Sequence, residues 1–208
     1  MTDTTVVHLL RHGEVHNPGG VLYGRLPGYH LSATGRAMAD AAADFFSERM
    51  VATVFASPLT RAQETAEPVA ARHGLEIVTD ERLIESRNVL EGTAVSLRYL
   101  ARNPANWRYL WNPFAPSWGE PYAEVAARMR AAVERARDAS RGAEAVCVSH
   151  QLPIWVTRLA AERRRLWSNP RECALGSVTS LTFTGDELTG VSYAVPARRQ
   201  VREEDAAQ

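Results

Sequence analysis

A three-layer α/β/α fold around a mostly parallel central sheet is the architecture this sequence predicts, and three observations predict it. Runs rich in β-branched and apolar residues alternate with stretches of helical periodicity, the pattern of βαβ units. Thr5 to Leu10, Val51 to Ala56 and Ala143 to Val148 are apolar enough to be covered on both faces, as parallel strands between helices are. These runs stop at Arg11-His12, Ser57 and Ser149-His150, which such a sheet presents together beyond its carboxyl edge, where ligands bind.

Each element has its own signal. After the first strand, a Gly/Pro-rich loop from Glu14 to His30 precedes Ser32, a plausible N-cap for a helix over Ala33 to Met50. That loop is long for a compact domain and is read as functional, with closure over substrate as one hypothesis. The second strand is followed by a helix from Leu59 to His73, closed by Gly74, with Arg61 in its first turn. Leu75 to Thr79 is a short third strand, and Asp80 to Gly92 a charged connector. A helical, aromatic-rich insertion at about 93–120 and a helix over Tyr122 to Ser140 come next. After the fourth strand, Pro153 suits the opening of a helix running to Ala161. Ser177 to Thr184 and Leu188 to Val195, joined by Gly185-Asp186, read as a hairpin. No Pro/Gly/Ser-rich linker divides the 208 residues, so one domain is expected over 1–197, with a charged tail over 198–208.

Lys plus Arg number 24 and Asp plus Glu number 24, so no global field recruits nucleic acid or an anionic membrane, and any anion site must be local. Met1 to Leu10 is too short and too weakly apolar for a signal-peptide core or a span. Cys147 lies in an apolar run and Cys173 in a polar one, which suggests no disulfide framework and makes a reducing cytoplasm the default. A homo-oligomer stays open.

The chemistry is concentrated in four short motifs. Leu9-Leu10-Arg11-His12-Gly13-Glu14 resembles the Arg-His-Gly-Glu signature of the histidine phosphatase superfamily, in the branch that contains cofactor-dependent phosphoglycerate mutase. Ser57-Pro58-Leu59-Thr60-Arg61-Ala62-Gln63-Glu64-Thr65-Ala66 is similar to its second block, Leu83-Ile84-Glu85 to its acidic element, and Val148-Ser149-His150 to its distal histidine. The resemblance implies a phosphoglycerate mutase-like fold and a small-molecule phosphate ester as partner. It also implies His12 as nucleophile, Glu85 as proton donor, and Arg11, Arg61 and His150 as the phosphate pocket.

Elementary chemistry supports each role. A neutral imidazole, with an ordinary pKa of ~6.5, carries a lone pair that can attack phosphorus without a metal. No cofactor and no metal are therefore expected. Phosphoryl transfer spreads charge over three equatorial oxygens, which two guanidinium forks and a second imidazole can hold. An alkoxide leaves best when protonated, and a partly desolvated glutamate beside a phosphate dianion retains a proton to give. Asn17, Gly24 and Gln151 are the candidate substrate-binding residues around this centre. Asn17 resembles a loop asparagine of relatives, displaced by one residue, and Gln151 stands where a glycine commonly follows the distal histidine.

Other readings are weaker. His12 and His16 bracket Glu14, but a zinc-protease helix places its glutamate directly after the first histidine and needs a helix that Pro18-Gly19-Gly20 would truncate. No Gly-x-Ser-x-Gly supports Ser57 or Ser149 as a nucleophile. His8, His16 and His73 receive no role. Trp107, Tyr109, Trp111, Phe114 and Trp118 either pack the insertion over the sheet edge or wall the pocket for a bulky leaving group. After Glu85 the chain reads Ser86-Arg87-Asn88-Val89-Leu90-Glu91-Gly92 and lacks the Arg-His-Tyr-Gly-type segment of mutases. That absence favours a phosphomonoesterase over a mutase or a silent phosphate-binding relative.

Overall fold

The structure is a computed structural model that describes residues 4–93, 119–164 and 172–196. Its elements are β1 (Thr4–Arg11), α1 (Ala33–Phe46), β2 (Val51–Ala56), α2 (Thr60–His73), β3 (Ile77–Thr79), α3 (Tyr122–Ala139), β4 (Glu144–Ser149), α4 (Gln151–Ala161), β5 (Val178–Thr184) and β6 (Glu187–Ala194). A 3₁₀ turn, Glu81–Leu83, follows β3. The aromatic residues Trp107 to Trp118 and the tail at 198–208 lie outside the described residues.

The six strands lie in the order β3-β2-β4-β1-β5-β6. β3, β2, β4 and β1 run parallel, while β5 pairs antiparallel with β1 and β6 with β5. The sheet is mostly parallel, as expected. Successive residues of a strand face opposite sides, and both sides are covered here. Val7, Leu9, Phe55 and Cys147 face α3 and α4 through Met129, Val133 and Ile154. Leu10, Val54, Val146 and Val148 face α1 and α2 through Phe46, Ala66 and Val69. Continuous apolar strands and amphipathic helices thus bury each other in three layers.

Several boundaries differ from the sequence reading, each for a local reason. Helix α1 stops at Phe46 instead of reaching Met50, because the backbone N–H and the hydroxyl of Ser47 both turn onto the Asp44 carbonyl, tightening the last turn. β3 begins at Ile77 because Gly74, at φ 64°, reverses the chain and Leu75 donates its N–H to Ala70 at the end of α2. Helix α4 starts at Gln151, two residues before Pro153. Pro153 then sits within the first turn, where a backbone N–H has no helical partner to lose.

Register places the site. In the parallel pairing of β1 with β4, Arg11 stands opposite Ser149, so His12 and His150 leave neighbouring strands at the same level. Beside them the loop after β1 crosses the start of α1 at very short range. A Cβ added to Gly35 would overlap the carbonyl of Glu14, and one added to Gly13 would overlap the carbonyl of Gly35. Alanine is ordinarily worth about 1 kcal/mol over glycine inside a helix. Here overpacking against backbone that cannot yield costs about 1–3 kcal/mol and should win. Gly35→Ala is expected to lower the urea midpoint; a raised midpoint would show that the crossing has slack.

Candidate active site

Hydrogen bonds across the carboxyl edge sew three strand ends together. The N–H of His12 donates to the Ser149 carbonyl at 3.1 Å, and that of Ser57 to the Val148 carbonyl at 2.9 Å. Ser149 is buried and its hydroxyl donates to the Leu83 carbonyl at 2.6 Å, tying in the connector that carries Glu85. From α2, the Thr65 hydroxyl accepts the Gly13 N–H at 3.1 Å and donates to the Arg61 carbonyl at 2.7 Å. His12 and His150 end up with ring centroids 5.1 Å apart and planes inclined by 57°.

The hydrogen bonds of both imidazoles determine their tautomers. His12 Nδ1 lies 2.8 Å from the Gly13 carbonyl, which can only accept, so Nδ1 carries the hydrogen and Nε2 keeps the lone pair. Burial, then the cations of Arg61 and Arg11, push the His12 pKa down to about 3 against the Gly13 hydrogen bond. His150 Nδ1 accepts a long contact from Arg61 Nη2 at 3.4 Å, so its hydrogen sits on Nε2 and is donated to Ser57 Oγ at 2.8 Å. Burial, with His12 and three arginines nearby, holds His150 well below the ordinary histidine range. Both rings are neutral near pH 7.

Two guanidiniums complete the anion side. Arg11, at the end of β1, donates Nη1 to the Cys173 carbonyl at 2.6 Å, and Arg61 in α2 donates Nη2 to the Gly24 carbonyl at 2.6 Å. Each keeps a buried Nε with no hydrogen-bond partner. Tyr23 lies under the Arg61 guanidinium, 4.7 Å from centroid to Cζ, and meets His12 edge-on at 6.5 Å. Tyr29 stacks on Tyr23 at 5.0 Å. Burial raises the Tyr23 phenol above its ordinary range, against the cations of Arg61 and Arg11.

Glu85 follows the 3₁₀ turn. Its carboxyl pKa is raised by burial, which outweighs the Ser86 N–H at 2.8 Å and the cations of Arg61, Arg11 and Arg128. The Glu85 carbonyl accepts Arg25 Nε at 2.6 Å. Arg25 Nη2 reaches Glu120 at 2.9 Å, and Arg128 grips the same carboxylate through Nε at 2.8 Å and Nη2 at 3.1 Å.

The structure therefore brings together His12, Arg11, Arg61, Glu85 and His150. The other three candidates stand differently. Asn17 closes its own loop, exchanging hydrogen bonds with the Val21 carbonyl at 2.8 Å and N–H at 3.1 Å. Gly24 contributes a carbonyl to Arg61, and Gln151 opens α4 directly after His150. His8 is buried between Ser180 and Glu144, away from this edge. Tyr23, Arg25, Thr65, Glu120 and Arg128 escaped the sequence reading. Thr65 lay inside a quoted motif, but nothing in spacing distinguishes the others from ordinary loop and helix residues.

The sequence profile of the histidine phosphatase superfamily (branch 1) matches residues 7–196. The chain belongs to that superfamily. The uncharacterised Mycobacterium tuberculosis (H37Rv) protein Rv0525 is 58% identical over 200 residues, covering 95% of this chain and 99% of its own. A probable phosphoglycerate mutase, GpmB of Shigella boydii, is 32% identical over 190 residues, covering 83% of each chain. Among solved structures, mycobacterial glucosyl-3-phosphoglycerate phosphatase superposes with a TM-score of 0.72 at 26% identity, covering 92% of this chain and 98% of that one. Histidine phosphatases thus include both phosphatases and mutase-like relatives of this chain. Among the described residues no helix is long and apolar enough to cross a membrane.

Folding that depresses a histidine pKa leaves the unfolded chain binding more protons as pH falls below ~6.5, so the associated stability is present above that pH and is lost on acidification. For His12 the loss runs down toward about 3. The urea midpoint of the parent should therefore fall more between pH 7 and pH 5 than that of His12→Asn. Parallel falls would contradict the buried, neutral imidazole.

Proposed function

We propose that this chain is a phosphomonoesterase that hydrolyses a small-molecule phosphate ester through a phosphohistidine on His12. One observation carries the reading: two buried guanidinium Nε–H groups, on Arg11 and Arg61, lack acceptors beside a histidine whose Nδ1 proton is already committed to Gly13. A buried donor left unpaired costs ~1–3 kcal/mol. Two in one pocket argue for an anionic ligand, and the oxygens of a phosphoryl group supply the missing acceptors.

In the first step the Nε2 lone pair of His12 forms a bond to phosphorus as the P–O ester bond breaks. The leaving oxygen takes the proton of Glu85, whose burial keeps it available. In the second step Glu85 takes a proton from water as the water oxygen attacks phosphorus. The N–P bond breaks and its electron pair returns to Nε2, releasing inorganic phosphate. Arg11 and Arg61 hold the equatorial oxygens throughout. A dianion between them raises the proton affinity of His150, which then donates as well.

A phosphatase and a probable mutase are both among the relatives, so family membership alone does not choose between them. The absent Arg-His-Tyr-Gly-type segment favours hydrolysis. A silent phosphate reader would need the arginines, but neither a nucleophile with a committed tautomer nor a carboxyl whose proton affinity burial raises.

Hydrolysis of 4-nitrophenyl phosphate is expected to persist in EDTA, and His12→Ala is expected to lower it by 10³-fold or more, on the order of what loss of a nucleophile costs. Acid-labile, alkali-stable radiolabel on the parent after a rapid quench, absent from His12→Ala, would report the phosphohistidine. Inactivation by EDTA would overturn the mechanism. Phosphoryl exchange between phosphoglycerates faster than release of inorganic phosphate would replace the phosphatase by a mutase.

A further inference from the structure

We infer that Arg25 is a positioning residue for proton donation by Glu85, and that the Gly24-Arg25 dipeptide ties this donor to the phosphate grip of Arg61. The inference rests on the phosphomonoesterase reading. It starts from how little else holds Glu85. The connector from Ile84 to Gly92 belongs to no helix and no strand of the sheet; its backbone meets other segments at Arg87 and Asn88, beside Gly119 and Glu120, and at Gly92, which donates to the Leu22 carbonyl at 3.0 Å. The Glu85 carboxylate takes the N–H of the next residue, Ser86, so its position follows its own backbone.

Side-chain donors hold that backbone at three carbonyls: Arg128 Nη1 on Arg82 at 2.6 Å, the Ser149 hydroxyl on Leu83 at 2.6 Å, and Arg25 Nε on Glu85 itself at 2.6 Å. Arg25 is held in turn. Its Nη2 meets Glu120 at 2.9 Å, Arg128 chelates Glu120 from α3, and Arg128 Nη1 donates to the Arg82 carbonyl at 2.6 Å. A planar fork that serves a carbonyl with Nε and a carboxylate with Nη2 suits arginine, whereas an ammonium offers a point charge on a flexible stem. Gly24, the preceding residue, accepts Arg61 Nη2 through its carbonyl at 2.6 Å. It is seated at φ 39° against Glu91, whose side chain a Cβ there would overlap. One peptide link of the loop after β1 therefore touches both the group that holds phosphate and the group that gives the proton.

A positioning role makes a prediction that a merely structural role does not. An alkyl phosphate needs a proton on its leaving oxygen, while 2,4-dinitrophenolate departs as a stable anion. Because kcat/KM reports steps through the departure of the leaving group, later hydrolysis of the phosphohistidine does not enter. In Arg25→Met, kcat/KM for glycerol 3-phosphate should fall on the order of 100-fold, and that for 2,4-dinitrophenyl phosphate by less than about threefold. Glu85→Gln should show the same leaving-group pattern, and Arg25→Lys should not restore the alkyl ester. Glu120→Gln, which keeps its volume, should reproduce the pattern in weaker form and serves if Arg25→Met does not fold. Equal losses on both esters, or no loss on either, would overturn the inference while leaving the phosphatase intact. A parent inactive toward both esters would remove the phosphatase reading and this inference with it.

Discussion

The parallel pairing of β1 with β4 sets Arg11 opposite Ser149, and the site depends on that register more than on any single side chain. Strand residues alternate faces with a period of two, so a slip of one residue would exchange Leu9 and Leu10 between the two covered faces of the sheet. It would also carry His12 out of level with His150. The apolar packing of both faces therefore enforces the alignment of two polar residues that make no contribution to that packing. Backbone bonds from His12 to Ser149 and from Ser57 to Val148 then hold the three strand ends together.

Within this frame, identical residue types are treated in opposite ways. His8 and His12 are both buried on or just beyond β1. Both ring nitrogens of His8 are partnered, by Ser180 and Glu144, which makes it a tie within the sheet. His12 has one nitrogen committed to Gly13, and burial, then the nearby guanidiniums, suppress its protonation. Stability is conceded there: a core optimised for folding would neither bury two partnerless guanidinium nitrogens nor hold two histidines against their natural tendency to take up protons. Such concessions cluster where a ligand supplies what the protein withholds.

The loop after β1 is the second device. It passes so close to α1 that Gly13 and Gly35 have no room for a Cβ, and Asn17 uses its amide to close the turn onto Val21. Farther along, Tyr23 lies on Arg61, Gly24 accepts from Arg61 and Arg25 donates to the Glu85 carbonyl. A segment without regular structure thus contacts His12, Arg61 and the backbone of Glu85, which accounts for its length.

Much of this was legible in the residues alone. Strand runs, helix periodicity, the Ser32 cap and the Gly74 stop are local signals that yielded the layers and the meeting of three strand ends, while the resemblance of four short motifs to the histidine phosphatases grouped Arg11, His12, Arg61, Glu85 and His150; both pattern and motif are written in adjacent positions. The order of the strands, the level at which His12 meets His150, the tautomers of both rings and the partners of Arg25 and Tyr23 were not. Those depend on contacts between residues far apart in the chain, such as Arg25 with Glu120 or His150 with Ser57, and only a folded backbone decides which donor lies within reach of which acceptor.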